Sequence, residues 1–272
     1  MSYIEYLNVK IENNEMKFFI NPKFQFFEVF LKRLPESFEK EGHTIYKSRN
    51  EVKTFKVEGM VLNVKSYRRP IFLNRVIYTF FRHSKARRAY ENALEVTSRG
   101  FETPAPIAYI ERKRGGLLER SYFVSLQCPY SRMFREFEGD SGISGREDII
   151  QAAGILVAAL HDAEILHMDL SVGNILFEKD ETGIHFSLVD MNRMKFRKIG
   201  KEAGCKNFER LRGDSDFFRE LADSYAKARG FDAEYCLKRM LHYYEKSVKT
   251  FRRKREFKNH FRHKHDPLKQ HE

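Results

Sequence analysis

The sequence predicts an α+β fold with two lobes: a small antiparallel β-sheet with one key helix, followed by a mainly helical lobe. Short apolar or alternating runs separated by turn residues dominate the first half of the chain, which is typical of strands. Apolar residues at i, i+3 and i+4 spacing dominate after residue 145, which is typical of amphipathic helices. The last strand pattern ends at Leu126. We therefore expect an N-terminal lobe over residues 1–127 and a C-terminal lobe over residues 128–272.

Composition and charge limit the class of protein. A chain of 272 residues with 42% hydrophobic and 32% charged residues is typical of a globular protein with an ample core. The formal net charge of +12 predicts an anionic partner, which could be a nucleic acid, a membrane surface or a phosphorylated ligand. The three cysteines include no C-x-x-C pair, which argues against a disulfide framework or a zinc site and favours a reducing cytoplasm.

The chain ends and apolar runs give no sign of membrane insertion. The N-terminus lacks a basic segment followed by an apolar one, so we expect no secretory signal. No run approaches the ~20 apolar residues that a spanning helix requires. The sequence therefore predicts a soluble or peripheral protein.

The first half of the chain contains the predicted sheet. A short strand near residues 17–20 precedes a helical pattern over residues 26–34, which we expect Pro35 to end. The predicted strands that follow cover residues 44–46, 52–57, 60–65, 107–110 and 122–126. Glu58 and Gly59 lie between two of these strands, where they predict a hairpin turn.

One helix interrupts the strands, and several follow them. Ser84 is a good N-cap for a helix with an apolar stripe that ends near Gly100. Ser144 and Glu147 have the spacing of a capping box and predict a helix that runs to His161. Further helical patterns cover residues 207–212, 216–231 and 233–257. The C-terminal part of the last helical pattern overlaps a basic run in which phenylalanines alternate with cations. The basic residues of this run are Lys249, Arg252, Arg253, Lys254, Arg255, Lys258, Arg262 and Lys264.

The most informative stretch is an H-x-D-x-x-x-x-N sequence between His167 and Asn174. A second acid, Asp190, ends a nearby apolar run. In kinase-like folds the first Asp, here Asp169, accepts the proton of the attacking hydroxyl, while the Asn and the second Asp hold Mg²⁺ on the phosphates of ATP. The sequence therefore predicts a bilobal protein-kinase-like fold that transfers a phosphoryl group. We expect His167 to brace the loop through a backbone hydrogen bond.

A kinase also needs a lysine on the nucleotide and a glutamate that positions it. Lys65 ends a buried strand that follows a hairpin and precedes a helix, where kinases carry this lysine. Glu91 is the preferred partner on that helix, although Glu95 lies one turn further and remains an alternative. The loop at residues 46–52 contains no glycine, so Arg49 and Asn50 are expected to contribute side-chain donors to the phosphates.

These segments together resemble the lipopolysaccharide core kinases, small bacterial enzymes with a kinase fold. The similarity is carried by Lys65, the helix around Glu91, the Pro-containing segment at 103–108, the catalytic loop and the Asp-x-Asn-Arg sequence at 190–193. It implies ATP and Mg²⁺ as cofactors and a Kdo or heptose hydroxyl of anionic lipid A-core as acceptor. It also implies a cytoplasmic protein, peripheral on the inner face of the inner membrane, where the basic C-terminal run could dock.

Two other classes of function remain as alternatives. Another small-molecule kinase or an atypical protein kinase could share the loop, but Met168 replaces the Arg of many protein kinases, so control by a phosphorylated activation loop is not expected. An inactive basic scaffold that binds membrane or nucleic acid would fit the net charge. An inactive scaffold is expected to have lost at least one of the residues that the kinase pattern requires. The chain has all four of them: Lys65, Asp169, Asn174 and Asp190. No nucleic-acid partner is therefore expected. For the basic C-terminal run, a solvated tail is as good an interpretation as a membrane-docking segment.

Overall fold

The computed structural model describes residues 9–12, 15–68, 77–78, 82–139 and 142–264. The chain forms two compact units. The first consists of Met1–Arg132 and Ile175–Met194, and the second consists of Met133–Asn174 and Lys195–Glu272. The division into lobes after residue 127 stays a prediction. The sequence between Tyr67 and His83 is a basic connector to the next helix, and most of it lies outside the described residues.

The first unit is built on an antiparallel sheet of seven strands. They are β1 (Val9–Glu12), β2 (Met16–Ile20), β3 (His43–Lys47), β4 (Asn50–Val57), β5 (Met60–Tyr67), β6 (Pro106–Arg114) and β7 (Leu117–Leu126). Their order across the sheet is β1-β2-β6-β7-β5-β4-β3. The predicted turn at Glu58 and Gly59 is confirmed: both residues have positive φ angles, of 48° and 75°, and they connect β4 to β5.

In the described part of the first unit, the helices α1 (Glu28–Ser37) and α2 (Lys85–Ser98) contribute to the core. The predicted end of α1 at Pro35 is wrong, because the helix continues to Ser37 and the Phe38 amide still donates to the Leu34 carbonyl at 2.9 Å. The buried Lys53 ammonium stabilises this end of the helix by donating to the Phe38 carbonyl at 2.6 Å. A proline in the last turn removes a single hydrogen bond, which the structure tolerates here.

A smaller hairpin also belongs to the first unit. Its strands are β10 (Ile175–Asp180) and β11 (Gly183–Leu188), with Ile175 paired to Leu188 at the open end. Three further short strands lie in the described part of the chain: β8 (Arg132–Met133), β9 (Ile165–His167) and β12 (Met194–Phe196). The open end of the hairpin matters for the site, because Asp190 lies two residues beyond Leu188.

The second unit is mainly helical, as predicted. Its helices are α3 (Arg146–Asp162), α4 (Lys201–Asn207), α5 (Ser215–Arg229) and α6 (Ala233–Lys264). Gly154 lets α3 approach α5 closely, since a Cβ atom there would lie 2.0 Å from the Ser224 hydroxyl. The predicted capping box is wrong: α3 begins after Gly145, whose φ of 68° suits glycine, and no side chain of the described residues caps it. Among the helices that the structure describes, none is both long enough and apolar enough to cross a bilayer.

His161, at the end of α3, has a structural role. It is buried, its Nδ1 accepts a hydrogen bond from the Tyr225 hydroxyl at 2.9 Å, and its Nε2 donates to Asn207 Oδ1 at 3.0 Å. Asn207 in turn donates to the His167 carbonyl at 2.9 Å. Burial lowers the pKa of His161 from 6.5 to about 4, so the ring is neutral at physiological pH. This network connects the helix end to the loop that contains Asp169.

Acid is expected to destabilise the protein through His161. The unfolded chain binds a proton on this ring below pH 6.5 and the folded chain only near pH 4, so the stabilisation is complete above pH 6.5 and is lost as the pH falls towards 4. The loss should reach about 3 kcal/mol in the free energy of unfolding. Urea unfolding at several pH values should show a flatter pH dependence for His161→Gln. The exposed His242→Gln serves as control, and an unchanged slope for His161→Gln would contradict this assignment.

Candidate active site

The first unit brings together two predicted site residues that are far apart in sequence. Lys65 lies on β5, paired with Val52 of β4 and Phe123 of β7, so its backbone is fixed inside the sheet. Its ammonium forms an ion pair with Asp190 Oδ1 at 2.6 Å. Both side chains are largely buried, with 17% and 24% of their surface exposed. This pair joins the lysine expected on the nucleotide to the acid expected on the metal.

Asp190 has an unusual backbone conformation. Its φ of 64° places it in the left-handed region, which non-glycine residues adopt at a cost of roughly 1–3 kcal/mol. It precedes a short 3-10 helix, Met191–Arg193, and its carboxylate also accepts a hydrogen bond from the Asn192 side chain. The structure therefore holds this carboxylate in a defined orientation beside Lys65.

Helix α2 is anchored to the turn after Asp190 by an asparagine. Asn92 Nδ2 donates to the Met191 carbonyl at 2.6 Å. The preferred glutamate, Glu91, pairs instead with Arg87 at 2.7 Å and with His83 at 3.0 Å. The alternative residue, Glu95, pairs with an arginine on its own helix. Within the described part of the chain neither glutamate contacts Lys65, and the assignment of Glu91 stays a prediction.

The turn between β3 and β4 contains the other two predicted phosphate donors. Arg49 is exposed in this turn, where the Ser48 amide donates to the Asn50 carbonyl at 2.9 Å. Asn50 begins β4 opposite Tyr67 of β5. Its side-chain oxygen is buried without a hydrogen-bond partner among the described residues. The turn thus presents a cation and a polar side chain in a position where many kinases have glycines.

The loop around Asp169 lies in the second unit and is held by its own hydrogen bonds. The Asp169 amide donates to His167 Nδ1 at 3.1 Å, which confirms the expected bracing role of His167. Asn174 Nδ2 donates to the Asp169 carbonyl at 2.8 Å. This bond uses the amide nitrogen of Asn174 as donor, so the other terminal atom of its side chain is an oxygen, the kind of atom that can bind a cation.

Two arginines that the sequence did not single out flank this loop. Arg210 forms an ion pair with Asp169 Oδ1, and 43% of its side chain is exposed. Arg135 lies against the loop at Gly173, where a Cβ atom would be 2.8 Å from its guanidinium. The chain has 50 Lys and Arg residues, so no local pattern distinguishes these two. The loop therefore combines a carboxylate with cations that can bind anionic oxygen atoms.

Comparison with known proteins assigns the family. The model of the lipopolysaccharide kinase (Kdo/WaaP) family matches residues 31–235, well over half of the chain. The chain belongs to this family. The resemblance drawn from the sequence is thereby confirmed, and membership in a kinase family makes the chain a phosphotransferase. No curated protein matches the chain in sequence.

One solved structure agrees with the predicted fold of this lipopolysaccharide kinase family member. WaaP in complex with acyl carrier protein is similar, with a TM-score of 0.58 and 17% identity over 82% of this chain and 95% of that chain. The Rio2 kinase complex with ADP, Mg²⁺ and phosphoaspartate from Chaetomium thermophilum has a TM-score of 0.48 and 13% identity, over 92% of this chain and 83% of that chain. The likeness to WaaP confirms the kinase-like fold.

Proposed function

We propose that this protein transfers the γ-phosphoryl group of ATP to a sugar hydroxyl, of Kdo or heptose, in the lipopolysaccharide inner core. The observation that carries the proposal is the Lys65–Asp190 pair at 2.6 Å, which joins two residues that kinase chemistry requires and that lie 125 positions apart. Family membership supports the substrate class. Because phosphoryl transfer requires little covalent chemistry from the protein, positioning and electrostatics are expected to provide most of the rate enhancement.

Asp169 is proposed as the residue that orients the sugar hydroxyl and accepts its proton. Its backbone is fixed at the amide by His167 and at the carbonyl by Asn174, so the carboxylate starts from a well-defined position. Arg210 pairs with the same carboxylate. The incoming hydroxyl has to replace part of this ion pair, after which the guanidinium is close enough to bind an anionic oxygen of the acceptor.

Asn174 and Asp190 are the proposed Mg²⁺ ligands, and their donor atoms suit the ion. Mg²⁺ prefers oxygen ligands and binds through few protein groups together with substrate phosphates, which matches one amide oxygen and one carboxylate. Chain connectivity supports the pairing: Asn174 directly precedes Ile175, Ile175 pairs with Leu188, and Asp190 lies two residues beyond Leu188. When bound, Mg²⁺ offsets negative charge on the β- and γ-phosphates.

The acceptor is proposed to reach the protein at the cytoplasmic face of the inner membrane. Helix α6 ends in a basic segment in which Phe251 and Phe257 are 65% and 66% exposed. Exposed aromatic side chains among cations suit an anionic lipid surface, where each basic residue adds ~1 kcal/mol. Part of the predicted basic run, at residues 258–264, has no described side chains, so the proposal rests on residues 249–257.

Removing four of these charges should weaken membrane binding. The variant replaces Arg252, Arg253, Lys254 and Arg255 with Gln. At ~1 kcal/mol per charge, binding to vesicles that contain anionic lipid should fall by roughly a thousandfold at low salt. The matched control replaces the exposed Lys23, Lys40, Lys56 and Lys198 with Gln. Co-sedimentation with vesicles measures the amount of bound protein. Docking through α6 would be contradicted if binding fell equally in both variants or did not fall in either.

The direct test of the proposed function is an acceptor assay with the purified protein and γ-labelled ATP. Lipid A carrying only Kdo and lipid A-core carrying Kdo and heptose are compared, together with an aminoglycoside and a protein mixture. We expect label on a lipid-linked sugar, and the pattern between the two lipids identifies Kdo or heptose. Transfer to the aminoglycoside or to protein alone would favour the alternative kinase classes.

A further inference from the structure

A cluster of cationic groups surrounds Tyr67 in the first unit. The Lys65 ammonium lies 5.6 Å from the centroid of the Tyr67 ring, and the Lys85 ammonium lies 6.0 Å from it. The ring itself is only 3% exposed. Lys65 comes from β5 and Lys85 from the start of α2, so two separate elements direct positive charge to one place.

This cluster has more positive than negative charge. Burial lowers the pKa of Lys85, and the positive charges of Arg49 and Arg88 lower it further. The negative charge of Asp190 acts in the opposite direction. Lys65 is a further positive neighbour of Lys85. In the described part of the chain, the charged groups that act on Lys85 are thus three cations and one carboxylate. Such an excess favours a bound anion, which would relieve the mutual repulsion of the cations.

Tyr67 also carries a polar group, its hydroxyl. It is buried and has no hydrogen-bond partner among the described residues. Buried polar groups are rarely left unpaired, because an unmade hydrogen bond in the interior destabilises the protein. Burial and the Asp190 charge also raise the pKa of Tyr67 well above its usual value, so the group is a protonated donor at physiological pH. An acceptor that comes from a ligand would explain it.

The start of helix α2 adds to the same field. Ser84 caps the helix by accepting a hydrogen bond from the Arg87 amide at 3.1 Å, and Lys85 is the first helical residue. The N-terminus of a helix with 14 residues carries a partial positive charge that favours anions. The buried unpaired hydroxyl, the two ammonium groups and this helix start therefore point to the same kind of ligand.

We propose that the Tyr67 hydroxyl and the Lys85 ammonium bind the phosphate chain of the nucleotide beside Lys65. This inference rests on the proposed function and extends it, because neither residue is among the phosphate ligands that the kinase pattern predicts. The inference also fits the absence of glycines from the β3–β4 turn, which contains Arg49 and Asn50. Contacts that a glycine-rich loop would make to the phosphates would then be provided by strand β5 and helix α2. Both are binding residues that position the nucleotide.

The test compares nucleotide binding by Tyr67→Phe, Lys85→Met and wild type, using calorimetry with ATP and adenosine. Loss of a hydrogen bond to a charged group should weaken ATP binding about tenfold in either variant and leave adenosine binding unchanged. Tyr67→Phe removes a hydroxyl without a partner, so its Tm should not fall. Lys85→Arg should recover much of the lost affinity, and Lys56→Met, on the exposed surface of β4, is the matched control.

The outcomes separate this inference from the function on which it rests. Wild type that binds no ATP would overturn both. The inference would be overturned, with the proposed function intact, if wild type binds ATP and both variants, Tyr67→Phe and Lys85→Met, bind it with the same affinity as wild type. Equal losses for ATP and adenosine would indicate a purely structural effect of the substitutions and would also overturn it.

Discussion

Asp169→Asn is expected to lower kcat by about 1000-fold, the scale of a general-base contribution. The amide cannot accept the proton of the sugar hydroxyl, and it also weakens the ion pair with Arg210. The dissociation constant of ATP should stay close to that of wild type, since Lys65 and not Asp169 is the residue proposed to bind the nucleotide. Single-turnover assays with labelled ATP and nucleotide titrations measure the two quantities separately.

The exposed Asp223→Asn on helix α5 is the matched control for this substitution and should retain full activity. Circular dichroism and the melting temperature should be similar in all three proteins, because the loop is also held by backbone contacts from His167 and Asn174. Near-normal turnover of Asp169→Asn would show that another group accepts the proton.

Lys65→Ala is expected to raise KM for ATP and to lower kcat as well. The ammonium is proposed to bind the α- and β-phosphates, and it also pairs with Asp190, so its removal leaves a half-buried carboxylate without this partner. We expect kcat/KM for ATP to fall by roughly a hundredfold or more, with both parameters affected. Initial rates over a range of ATP concentrations at fixed acceptor measure this change.

The control for this prediction is Lys56→Ala, an exposed lysine on a neighbouring strand. An ATP dependence of Lys65→Ala equal to that of wild type would contradict the proposed nucleotide site. A lower kcat with an unchanged KM for ATP would instead indicate that Lys65 acts mainly by holding Asp190. In that case the substitution would leave the binding of ATP in the ground state intact.

Local patterns predicted most of the elements. The Glu58–Gly59 turn needs two residues that tolerate positive φ, and the apolar stripe of α2 needs only a periodicity of 3.6, so both are visible in short windows of sequence. The end of α1 is different. Lys53 lies 15 residues beyond Phe38, whose carbonyl it contacts, and no local rule at Pro35 includes such a contact.

The candidate site shows the same division between local and distant information. The position of His167, two residues before Asp169, predicted the backbone hydrogen bond that braces the loop, which is a contact between neighbours in the sequence. The Arg210–Asp169 pair and the Asn92 bond to Met191 join residues 41 and 99 positions apart. They depend on how the elements pack, and a basic chain offers too many arginines for composition to select one.

The unpaired Tyr67 hydroxyl could not have been predicted at all from sequence. Tyrosine at the end of a strand is ordinary, and only the structure shows that its oxygen is buried without an acceptor among the described residues.

The most direct measurement is mass spectrometry of lipid A-core from cells that encode the protein. Cells without it should lack one phosphate on Kdo or heptose, and tandem fragmentation should locate the missing group on that sugar. Wild-type protein should restore the phosphate, and Asp169→Asn protein, present at the same level, should not. An unchanged phosphate content in cells without the protein, or full restoration by Asp169→Asn, would contradict the account.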